Sequence, residues 1–431
     1  MGAKVPSVKG MNDLLPKESA RWRLLEDAAR EVFARYGYEE ARTPIVEETA
    51  LFARGIGEGT DVVGKEMYTF ADRDGTSLSL RPEGTAGLAR AYVEHGFGVD
   101  DPQQRWFYLG AMFRHERPQK GRYRQFHQLG VEALGSADPR VDAEQLELAQ
   151  RFFERVGLKD VSLRVNSVGD EACRPAYRER LVACFVERRD ALCDAHRAPG
   201  VLEKNPLRVL DCKSEACRAA SAGAPMLLEH LCGPCAEHFA RVRSQCDLLS
   251  VNYEVDPRIV RGLDYYTRTA FEWVATTGLG SQNAIGGGGR YDQLVRELGG
   301  PATPGVGFAL GEERLALVLE AQGLGARRGP DLFLATMGPE GDDAVLRVAS
   351  QCRAAGARVE CNLRKANLGN QMKRADRTGA AYVVVLGPNE LASGRVKLKA
   401  LATGVEEEAA LEGLGALVVS RVTAENGTRR L

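Results

Sequence analysis

Residues 114–128 bring together side chains that can bind phosphate and a purine base. The segment holds five permanent cations, one carboxylate and two aromatic side chains between apolar flanks. Arginine presents a planar fork of N–H donors that suits phosphate oxygens, and a ring such as that of Phe126 can stack on a base. Most runs of charge are solvated loops, however. The composition of the segment leaves both interpretations open.

The flanks of this segment indicate its structural setting. Residues 106–109 and residues 129–134 are rich in apolar and aromatic side chains and are typical of β-strands. We therefore predict that residues 114–128 form a long, hairpin-like loop between two strands.

Three segments in a fixed order give the chain a family resemblance. Residues 106–134 resemble the second signature motif of class II aminoacyl-tRNA synthetases, and residues 305–314 (Gly-Val-Gly-Phe-Ala-Leu-Gly-Glu-Glu-Arg) resemble the third. Residues 261–267 (Arg-Gly-Leu-Asp-Tyr-Tyr-Thr) resemble a motif peculiar to the histidyl-tRNA synthetase family. The likeness extends over essentially the whole chain. It implies activation of L-histidine with ATP to histidyl-adenylate and pyrophosphate, followed by transfer of histidine to the 3′ adenosine of tRNA(His).

The resemblance implies a set of ATP-binding residues. Arg114 and Arg261 are expected to be catalytic and to contact the α-phosphate, and Arg314 is expected to hold the γ-phosphate. Glu116 is expected to accept a hydrogen bond from the adenine amine, and Phe126 to stack on the ring. Cations suit the reaction because a carboxylate attacks phosphorus and negative charge must be spread at the transition state. Mg²⁺ is expected to bridge the phosphates. A surface ion pair is the ordinary alternative for any single arginine.

The resemblance also implies a histidine pocket. Glu132 and Tyr266 are expected to hydrogen-bond the two imidazole nitrogens, since a polar pocket rejects an amino acid that leaves its groups unpaired. The α-ammonium group and the pocket walls are expected to involve Glu83, Gly84, Thr85, Gln128, Tyr265 and Tyr291. Residues 81–85 would equally suit a turn before a helix cap, and a pair of tyrosines would equally suit a core.

Basic residues outside the ATP set are candidates for contact with tRNA. The other cations of the 114–128 loop are expected to reach the acceptor end through phosphate contacts. They are Arg117, Lys120, Arg122 and Arg124. A second basic patch comprises Arg364, Lys365, Lys373, Arg374 and Arg377. A solvated helix face is the ordinary alternative for this second patch.

The bulk composition limits the class of protein. The 431 residues are 44% hydrophobic and 27% charged, which is typical of a globular protein of two or three domains. The formal net charge is −1, so nucleic acid must be bound by local basic patches. No apolar run is long enough to span a membrane, and the first residues lack a signal-like segment. We expect a soluble, cytoplasmic protein.

Four of the ten cysteines form a pattern that suits a metal. Cys212, Cys217, Cys232 and Cys235 are two pairs with short spacers, close to the spacing of a four-thiolate Zn²⁺ site. Four ordinary thiols in a helical insertion are the alternative. The other thiols are expected to be reduced, as in cytosolic enzymes.

The order of the patterns predicts an α+β fold in two domains. Residues 1–325 are expected to form an antiparallel catalytic sheet with helices, interrupted by a helical insertion over about residues 167–254. Residues 331–431 alternate strands and helices and resemble the α/β anticodon-binding domain of several class II synthetases. Helical periodicity predicts an opening helix over about residues 18–36. Pro44 suits a sheet edge, and the resemblance places such a proline at a subunit interface and implies a homodimer.

Two other functions fit parts of the pattern. A non-catalytic regulatory paralogue, associated with an ATP phosphoribosyltransferase of histidine biosynthesis, would keep the fold but lose catalytic residues and usually the C-terminal domain. This chain keeps Arg114, Arg261 and Arg314. An adenylate-forming ligase for another carboxylate would require Glu132 and Tyr266 to be coincidental.

Overall fold

The computed structural model describes residues 5–57, 60–204, 206–210, 212, 214–259, 263–280, 282–326, 328–364 and 366–428. Arg261 and Lys365 lie outside the described residues. The chain divides into two compact units, Met1–Ala326 and Arg327–Leu431. None of the helices in the described ranges is long and apolar enough to cross a membrane.

The first unit contains both strands and helices. Its strands, as far as the structure describes them, are β1 (Glu39–Glu40), β2 (Val46–Glu48), β3 (Tyr68–Ala71), β4 (Ser77–Leu80), β5 (Gln104–Phe113), β6 (Gln125–Leu134), β7 (Val161–Ser167), β8 (Glu254–Val255), β9 (Thr267–Ala275), β10 (Ala284–Arg290) and β11 (Gly305–Gly311). Its α-helices are α1 (Ser19–Arg35), α2 (Thr49–Ile56), α3 (Thr85–Glu94), α4 (Phe97–Asp100), α5 (Pro139–Val156), α6 (Arg174–Glu187), α7 (Asp194–Arg197), α8 (Val201–Lys204), α9 (Leu207–Leu210), α10 (Glu215–Ala220), α11 (Gly233–Leu248), α12 (Leu294–Glu297) and α13 (Glu312–Ala321).

One large sheet organises this unit. Within the described part of the chain it has eight strands, in the order β1-β5-β6-β11-β10-β9-β7-β8. Pairing is antiparallel from β5 through to β7, and only the outer pairs, β1 with β5 and β7 with β8, are parallel. A separate small sheet has the order β2-β4-β3. The predicted α+β class with an antiparallel sheet is confirmed.

The glycines at 286–289 lie within β10, between β9 and β11. A Cβ atom added to Gly288 would lie 2.0 Å from the carbonyl oxygen of Gly307, and one added to Gly289 would lie 2.5 Å from that of Thr269. The glycine run therefore allows the neighbouring strands to approach closely at the centre of the sheet.

The predicted loop over residues 114–128 is wrong at its end. β6 begins at Gln125, and Phe126, His127 and Gln128 pair with Met112, Ala111 and Gly110 of β5. The connecting loop therefore ends at residue 124. The side chains of these strand residues are half-buried and do not face the main core. This part of the strand therefore has no apolar run, and hydrophobic alternation does not reveal it.

Helices α1, α5, α11 and α13 pack with the large sheet around one core. Helix α1 begins one residue later than the predicted start and places Leu25, Ala28 and Val32 in this core. The ring of Phe33 lies 5.5 Å from that of Phe107 and 5.8 Å from that of Phe152, which joins α1 to β5 and α5. The amphipathic pattern of the opening helix thus determines its buried face.

The stretch predicted as a single helical insertion has two kinds of packing. Helices α6, α9 and α10 share a small core of their own around Tyr177, Leu181 and Phe185. Helix α11 instead contributes Phe239 and Val242 to the main core beside the sheet. The sequence does not distinguish these two environments, because both α6 and α11 carry charged residues between their apolar positions.

The second unit has a mixed sheet. Its described strands are β12 (Leu332–Thr336), β13 (Val359–Cys361), β14 (Tyr382–Leu386), β15 (Arg395–Ala400) and β16 (Glu406–Ala410), in the order β13-β12-β14-β15-β16. Its helices are α14 (Gly338–Ala354), α15 (Leu368–Thr378), α16 (Pro388–Ser393) and α17 (Leu414–Thr428). β12 pairs in parallel with β13 and β14, as alternating strands and helices predict. The antiparallel β15 and β16 were not predicted, because their alternating charges hide a half-buried strand.

A buried ion cluster joins the central sheet to α5. Arg290 and Asp142 have no exposed surface, and the Arg290 guanidinium donates to both carboxylate oxygens of Asp142. The Nε2 atom of His238 on α11 lies 3.2 Å from Asp142 Oδ1. Burial opposes ionisation of Asp142, but the charge of Arg290 and the hydrogen bonds outweigh it and lower the pKa of Asp142 to about 2.

We expect Asp142→Asn to destabilise the first unit by about 3 kcal/mol, because Arg290 would remain buried without its counter-charge. Asp138→Asn is the control, since the side chain of Asp138 is exposed and asparagine also caps a helix. The three tryptophans all lie in the first unit, so urea unfolding followed by tryptophan fluorescence reports on that unit alone.

The same pair has a pH signature. Because the folded-state pKa of Asp142 is lowered from 3.8 to about 2, its stabilisation is present above pH 3.8 and is lost as pH falls through 2. The difference in stability between the wild type and Asp142→Asn should shrink over that window. A difference that stays constant down to pH 2 would contradict an ionised, buried Asp142.

Candidate active site

A cavity of about 280 Å³ opens on the large sheet of the first unit. Side chains from β5, β6, β9, β10 and β11 line it, together with the 114–124 loop and the starts of α3 and α13. It contains most of the residues predicted to bind a nucleotide and an amino acid. These are Glu83, Thr85, Arg114, Glu116, Phe126, Gln128, Tyr265, Tyr266, Tyr291 and Arg314.

Both described arginines that were predicted to bind ATP line the cavity. Arg114 donates from Nε to the carbonyl oxygen of Pro82 at 2.8 Å, and its guanidinium carbon lies 5.2 Å from the centre of the Phe126 ring. Arg314, on the first turn of α13, donates from Nε to the carbonyl oxygen of Gly121 at 3.1 Å. Arg314 also donates from Nη1 to the carbonyl oxygen of Ala284. Backbone carbonyls thus hold both guanidinium groups at the cavity wall.

The loop between β5 and β6 is held by its own charges. Arg122 forms an ion pair with Glu116 at 3.2 Å, and Arg124 donates from Nε to the backbone carbonyl of Glu116 at 3.3 Å. The backbone N–H of Arg124 also donates to the carbonyl oxygen of Gly10 at 2.7 Å. Two of the four cations predicted to contact tRNA are therefore engaged within the loop.

Glu132 lies beneath the floor of the cavity on β6. Its Oε1 accepts a hydrogen bond from the Thr85 hydroxyl at 2.6 Å, and its Oε2 accepts one from the Tyr291 hydroxyl. Only 1% of the residue is exposed. Burial raises the pKa of the Glu132 carboxyl to about 8, although the hydrogen bonds from Thr85 and Tyr291 act in the opposite direction.

Glycines make room for these polar side chains. A Cβ atom at Gly307 of β11 would lie 1.7 Å from Glu132 Oε2. A Cβ atom at Gly130 would lie 2.1 Å from the ring of Tyr108, and one at Gly84 would lie 2.4 Å from the same ring. The absence of side chains on these backbones therefore creates the space that Glu132 and Tyr108 occupy.

Glu83 takes part in both arrangements that the sequence left open, the helix cap and the wall of a pocket. Its carboxylate accepts hydrogen bonds from the backbone N–H groups of Thr85 at 2.7 Å and Ala86 at 2.9 Å, at the start of α3. It also lines the cavity. Burial raises the pKa of Glu83, while these backbone hydrogen bonds and the charge of Arg114 lower it. The helix cap fixes the orientation of this carboxylate at the cavity wall.

One buried polar atom indicates where a ligand is needed. The Oε1 atom of Gln128 has no hydrogen-bond partner among the described residues, although it is shielded from solvent. A buried acceptor without a partner costs about 1–3 kcal/mol, so a ligand donor at this point would be stabilising.

Sequence reasoning missed several lining residues. Tyr108, Tyr123 and Glu272 all border the cavity. Tyr108 and Glu272 lie on strands and look like ordinary strand residues in the sequence. Only the pairing of Tyr108 opposite Gly130 would have indicated an unusual environment, and that register requires the fold.

The remaining predicted tRNA residues lie on exposed surfaces. Arg117 and Lys120 are exposed at the tip of the loop between β5 and β6. In the second unit Arg364, Lys373, Arg374 and Arg377 are exposed, and the last three lie on the outer face of α15. Arg374 forms an ion pair with Glu360 at 2.6 Å. The second patch thus has the geometry of a solvated helix face, which is compatible with either interpretation.

The four cysteines predicted to form one Zn²⁺ site do not meet at one point. Cys212 and Cys217 lie with Cys193 and His196, whereas Cys232 and Cys235 lie with Asp170 and Cys173. The predicted quartet Cys212, Cys217, Cys232, Cys235 is therefore wrong as a ligand set. Spacing along the chain could not reveal this, because the additional ligands lie between 16 and 65 residues away from the predicted cysteines in the sequence.

Comparisons with known proteins agree with this architecture. The family model described as histidyl-tRNA synthetase matches residues 10–315, and that described as anticodon binding domain matches residues 331–421. The chain is 54% identical to the histidine–tRNA ligase of Anaeromyxobacter dehalogenans over 96% of its length and 99% of that protein. It is 49% identical to that of Trichlorobacter lovleyi over 98% of its length and 100% of that protein.

A solved structure gives the same result for the fold. The crystal structure of the apo histidyl-tRNA synthetase of S. aureus superposes with a TM-score of 0.77 at 36% identity, covering 96% of this chain and 100% of the other.

The raised pKa of Glu132 gives a testable pH dependence of stability. Because folding favours the protonated carboxyl, this group makes the folded state lose stability as pH rises from 4.5 through about 8. The loss is at most about 1.4 kcal/mol per pH unit. We expect Glu132→Gln, which cannot ionise, to reduce this loss in urea unfolding monitored by tryptophan fluorescence.

Glu237→Gln on the exposed face of α11 is the matched control and should leave the pH profile unchanged. Identical profiles for the wild type and Glu132→Gln would show that Glu132 titrates normally.

Proposed function

Because this chain belongs to the histidyl-tRNA synthetase family, we propose how its side chains divide the histidine–tRNA ligase reaction among them. The chain is a class II aminoacyl-tRNA synthetase that activates histidine with ATP and joins it to tRNA. Its relatives over almost the whole length are named histidine–tRNA ligases, and the anticodon-binding unit is present. These findings favour the ligase over a regulatory paralogue that lacks catalysis.

One observation carries the assignment of roles. A single cavity joins the polar groups around Glu83, Thr85 and Gln128 to the arginines Arg114 and Arg314. Adenylate formation requires an amino acid carboxylate to meet the α-phosphate of ATP, so both sites must open into one space. The cavity satisfies that requirement.

Histidine is recognised at the tyrosine-lined end of the cavity. Glu132 accepts a hydrogen bond from one imidazole nitrogen, and Tyr266 contacts the other. Tyr265 and Tyr291 form the walls, and their rings lie 5.7 Å apart in a T-shaped arrangement. Because both ring nitrogens are read, an amino acid of similar shape without them leaves buried groups unpaired.

The backbone of histidine lies between this end and the arginines. Its α-ammonium group is bound by the Glu83 carboxylate, the Thr85 hydroxyl and Gln128 Oε1, with Gly84 leaving room for Tyr108 beside it. Gln128 supplies the acceptor that is buried without a partner. The amino acid carboxylate then points towards Arg114.

The arginines stabilise the developing charge on phosphorus. Arg114 neutralises the carboxylate and the α-phosphate and brings two anions together. Arg261, assigned by its motif, contacts the same phosphate, and Arg314 holds the γ-phosphate. Adenine stacks on Phe126 and donates its amine to Glu116. Positioned cations lower the barrier because the charge on the equatorial oxygens grows in the transition state.

Mg²⁺ accompanies ATP in this scheme. Glu272 of β9 lines the cavity, and its charge acts on Arg314, so it is a carboxylate positioned next to the expected phosphates. Mg²⁺ binds through one or two carboxylates together with substrate oxygens, and it neutralises phosphate charge. The donor set of the cavity fits such an ion.

tRNA(His) contacts exposed cations on both units. Arg117 and Lys120 lie at the loop tip, near the mouth of the cavity, where the 3′ adenosine must reach the adenylate. Arg122 and Arg124 can contact tRNA only if the loop rearranges and releases them from Glu116. Arg364, Lys365, Lys373, Arg374 and Arg377 contact phosphates through the second unit. The protein works in the cytoplasm, where its tRNA is found.

The chain forms a homodimer through the small sheet. Ile45 is 46% exposed, Val46 39% and Phe70 46%. Val46 lies opposite Leu80 and Phe70 opposite Leu78, so both point to one face of this sheet. An exposed apolar face next to Pro44 is suited to an isologous contact with a second copy.

The catalytic assignment is tested by exchange of labelled pyrophosphate into ATP, which is expected with histidine and with none of the other amino acids. Arg261→Ala should lower the exchange rate constant by about 100-fold, because its charge acts in the transition state. Histidine affinity, measured by calorimetry, should change far less.

Arg258→Ala removes an exposed arginine from the same segment and is the control, with near-normal exchange expected. Equal losses of exchange and of histidine affinity in Arg261→Ala would refute a transition-state role.

The dimer is tested by light scattering after size-exclusion chromatography. Phe70→Asp should convert the species from the mass of two chains to that of one, because a carboxylate cannot be buried unpaired in an apolar contact. Val405→Asp introduces the same charge at an exposed valine of the second unit and should stay dimeric. A wild-type protein with the mass of one chain would end the dimer proposal.

A further inference from the structure

Two clusters of metal-ligating side chains lie outside the cavity. The first comprises Cys193, His196, Cys212 and Cys217, and the second comprises Asp170, Cys173, Cys232 and Cys235. In each cluster one ligand atom from every residue lies within 4.8 Å of the others. The binding of histidine, ATP and tRNA does not use any of these eight residues.

The distances in the first cluster match the edges of a tetrahedron around one ion. Zn²⁺ with sulfur at about 2.3 Å and nitrogen at about 2.1 Å places two sulfurs about 3.8 Å apart, and a sulfur and a nitrogen about 3.6 Å apart. The Cys193 and Cys212 sulfurs are 4.0 Å apart. The Nδ1 atom of His196 lies 3.2 Å from the Cys193 sulfur and 3.5 Å from the Cys217 sulfur.

The second cluster has the same dimensions with an oxygen in place of the nitrogen. The Asp170 Oδ1 atom lies 3.5 Å from the Cys173 sulfur and 3.7 Å from the Cys232 sulfur. Gly169 keeps this space open, since a Cβ atom there would lie 2.5 Å from the Cys173 sulfur. Cys232 and Cys235 lie at the start of α11, so one helical turn presents both sulfurs to the cluster.

The spacing of the ligands fits these two groups better than the single quartet. Three of the four ligand pairs are separated by two residues, namely 193 and 196, 170 and 173, and 232 and 235. The fourth pair is 212 and 217. Pairs with short spacers, contributed from two separate segments, are the arrangement found in structural zinc sites.

The surroundings of the first cluster need an additional source of stability. The helices around it, α7, α8, α9 and α10, have only four to six residues each, which is too short to be stable by helix formation alone. Their shared core is small. Small, irregular folds of this kind are commonly stabilised by disulfides or metals. All ten cysteines are unpaired, so disulfides do not do this here.

We propose that the inserted segment binds two Zn²⁺ ions, one held by Cys193, His196, Cys212 and Cys217 and the other by Asp170, Cys173, Cys232 and Cys235. Both sites have four protein ligands and no open position, so their role is structural. The first ion joins the short helices to each other. The second joins the start of α6 to the start of α11.

The second site stands close to the substrate cavity. Arg174, next to Cys173, donates to the carbonyl oxygen of Val168 at 2.8 Å and to that of Tyr266. Anchoring the start of α6 therefore holds the backbone of a residue that lines the cavity.

The test is the metal content of the purified full chain, measured by inductively coupled plasma mass spectrometry after dialysis. Two zinc atoms per chain are expected. Cys212→Ser and Cys232→Ser should each retain about one, and the double variant should retain none. Cys184→Ser is the control, because Cys184 packs against the same small core without belonging to either cluster. It should keep both ions.

Two zinc sites, a single site of four cysteines and no zinc site give different results in this measurement. A single site formed by Cys212, Cys217, Cys232 and Cys235 would hold one zinc per chain and lose it completely in either single variant, which would overturn the proposal. Absence of zinc, or iron in its place, would also overturn it. His196→Cys preserves a four-ligand set and should keep both ions, which separates loss of a ligand from general damage.

Because a serine variant can fail to fold, the wild-type chain provides a second measurement. After the metal is removed by a chelator, titration with Co²⁺ should give the intense absorption of tetrahedral thiolate sites and saturate at two equivalents. Chelation should also make six further thiols reactive towards a thiol reagent, three from each cluster. Saturation at one equivalent, or no thiolate absorption, would contradict the proposal whether or not the enzyme is active.

Discussion

Burial of the Glu132 carboxylate is the interaction on which the arrangement of the cavity depends. This residue lies in a central strand and is held by hydroxyl groups from the start of α3 and from the segment after β10. A buried carboxyl must be fully hydrogen-bonded or neutral, so Thr85 and Tyr291 are fixed by it as much as it is by them. The glycine at 307 is a condition of this geometry, since any side chain there would occupy the position of the carboxylate.

Glycines also allow five strands of the sheet to line the cavity together with the 114–124 loop. Gly130 of β6 leaves space for Tyr108 of β5, and Gly307 of β11 leaves space for Glu132 of β6, so these polar side chains fit between neighbouring strands. A rigid sheet holds the small-molecule ligands within the tolerance that phosphoryl chemistry requires. The exposed cations that we propose to contact tRNA lie instead on a loop tip and on a helix face, where precise placement matters less and long-range attraction matters more.

Charge is neutralised differently in the other parts of the first unit. Arg290, Asp142 and His238 join the sheet to α5 and α11 in a fully buried cluster, where loss of one partner leaves an uncompensated charge. In the inserted segment, by contrast, the helices are too short for a large core, and the cysteines, histidine and aspartate come together in sets of four. The main core thus combines apolar burial with one ion cluster, whereas the insertion combines a small apolar core with two groups of side chains that could hold a metal.

Motif residues next to each other in the chain could be predicted from the sequence alone. Arg114, Glu116 and Phe126 are close together because they share one hairpin, and the amphipathic opening helix follows from its own periodicity. The fold class and the alternation of strands and helices in the second unit could also be predicted, since the hydrophobic periods of strands and helices differ. In these cases the information is local and needs no contact between distant segments.

The tertiary structure decided what depends on register and on chain crossings. The end of the loop at residue 124, the opposition of Tyr108 and Gly130, and the entry of Glu272 into the cavity all follow from strand pairing. The division of the cysteines is the clearest case: Cys212 and Cys232 look like parts of one spaced motif, yet the fold brings each to different partners, Cys193 and Asp170. Ligands meet where backbones from remote segments converge, and the spacing of residues along one segment does not contain that information.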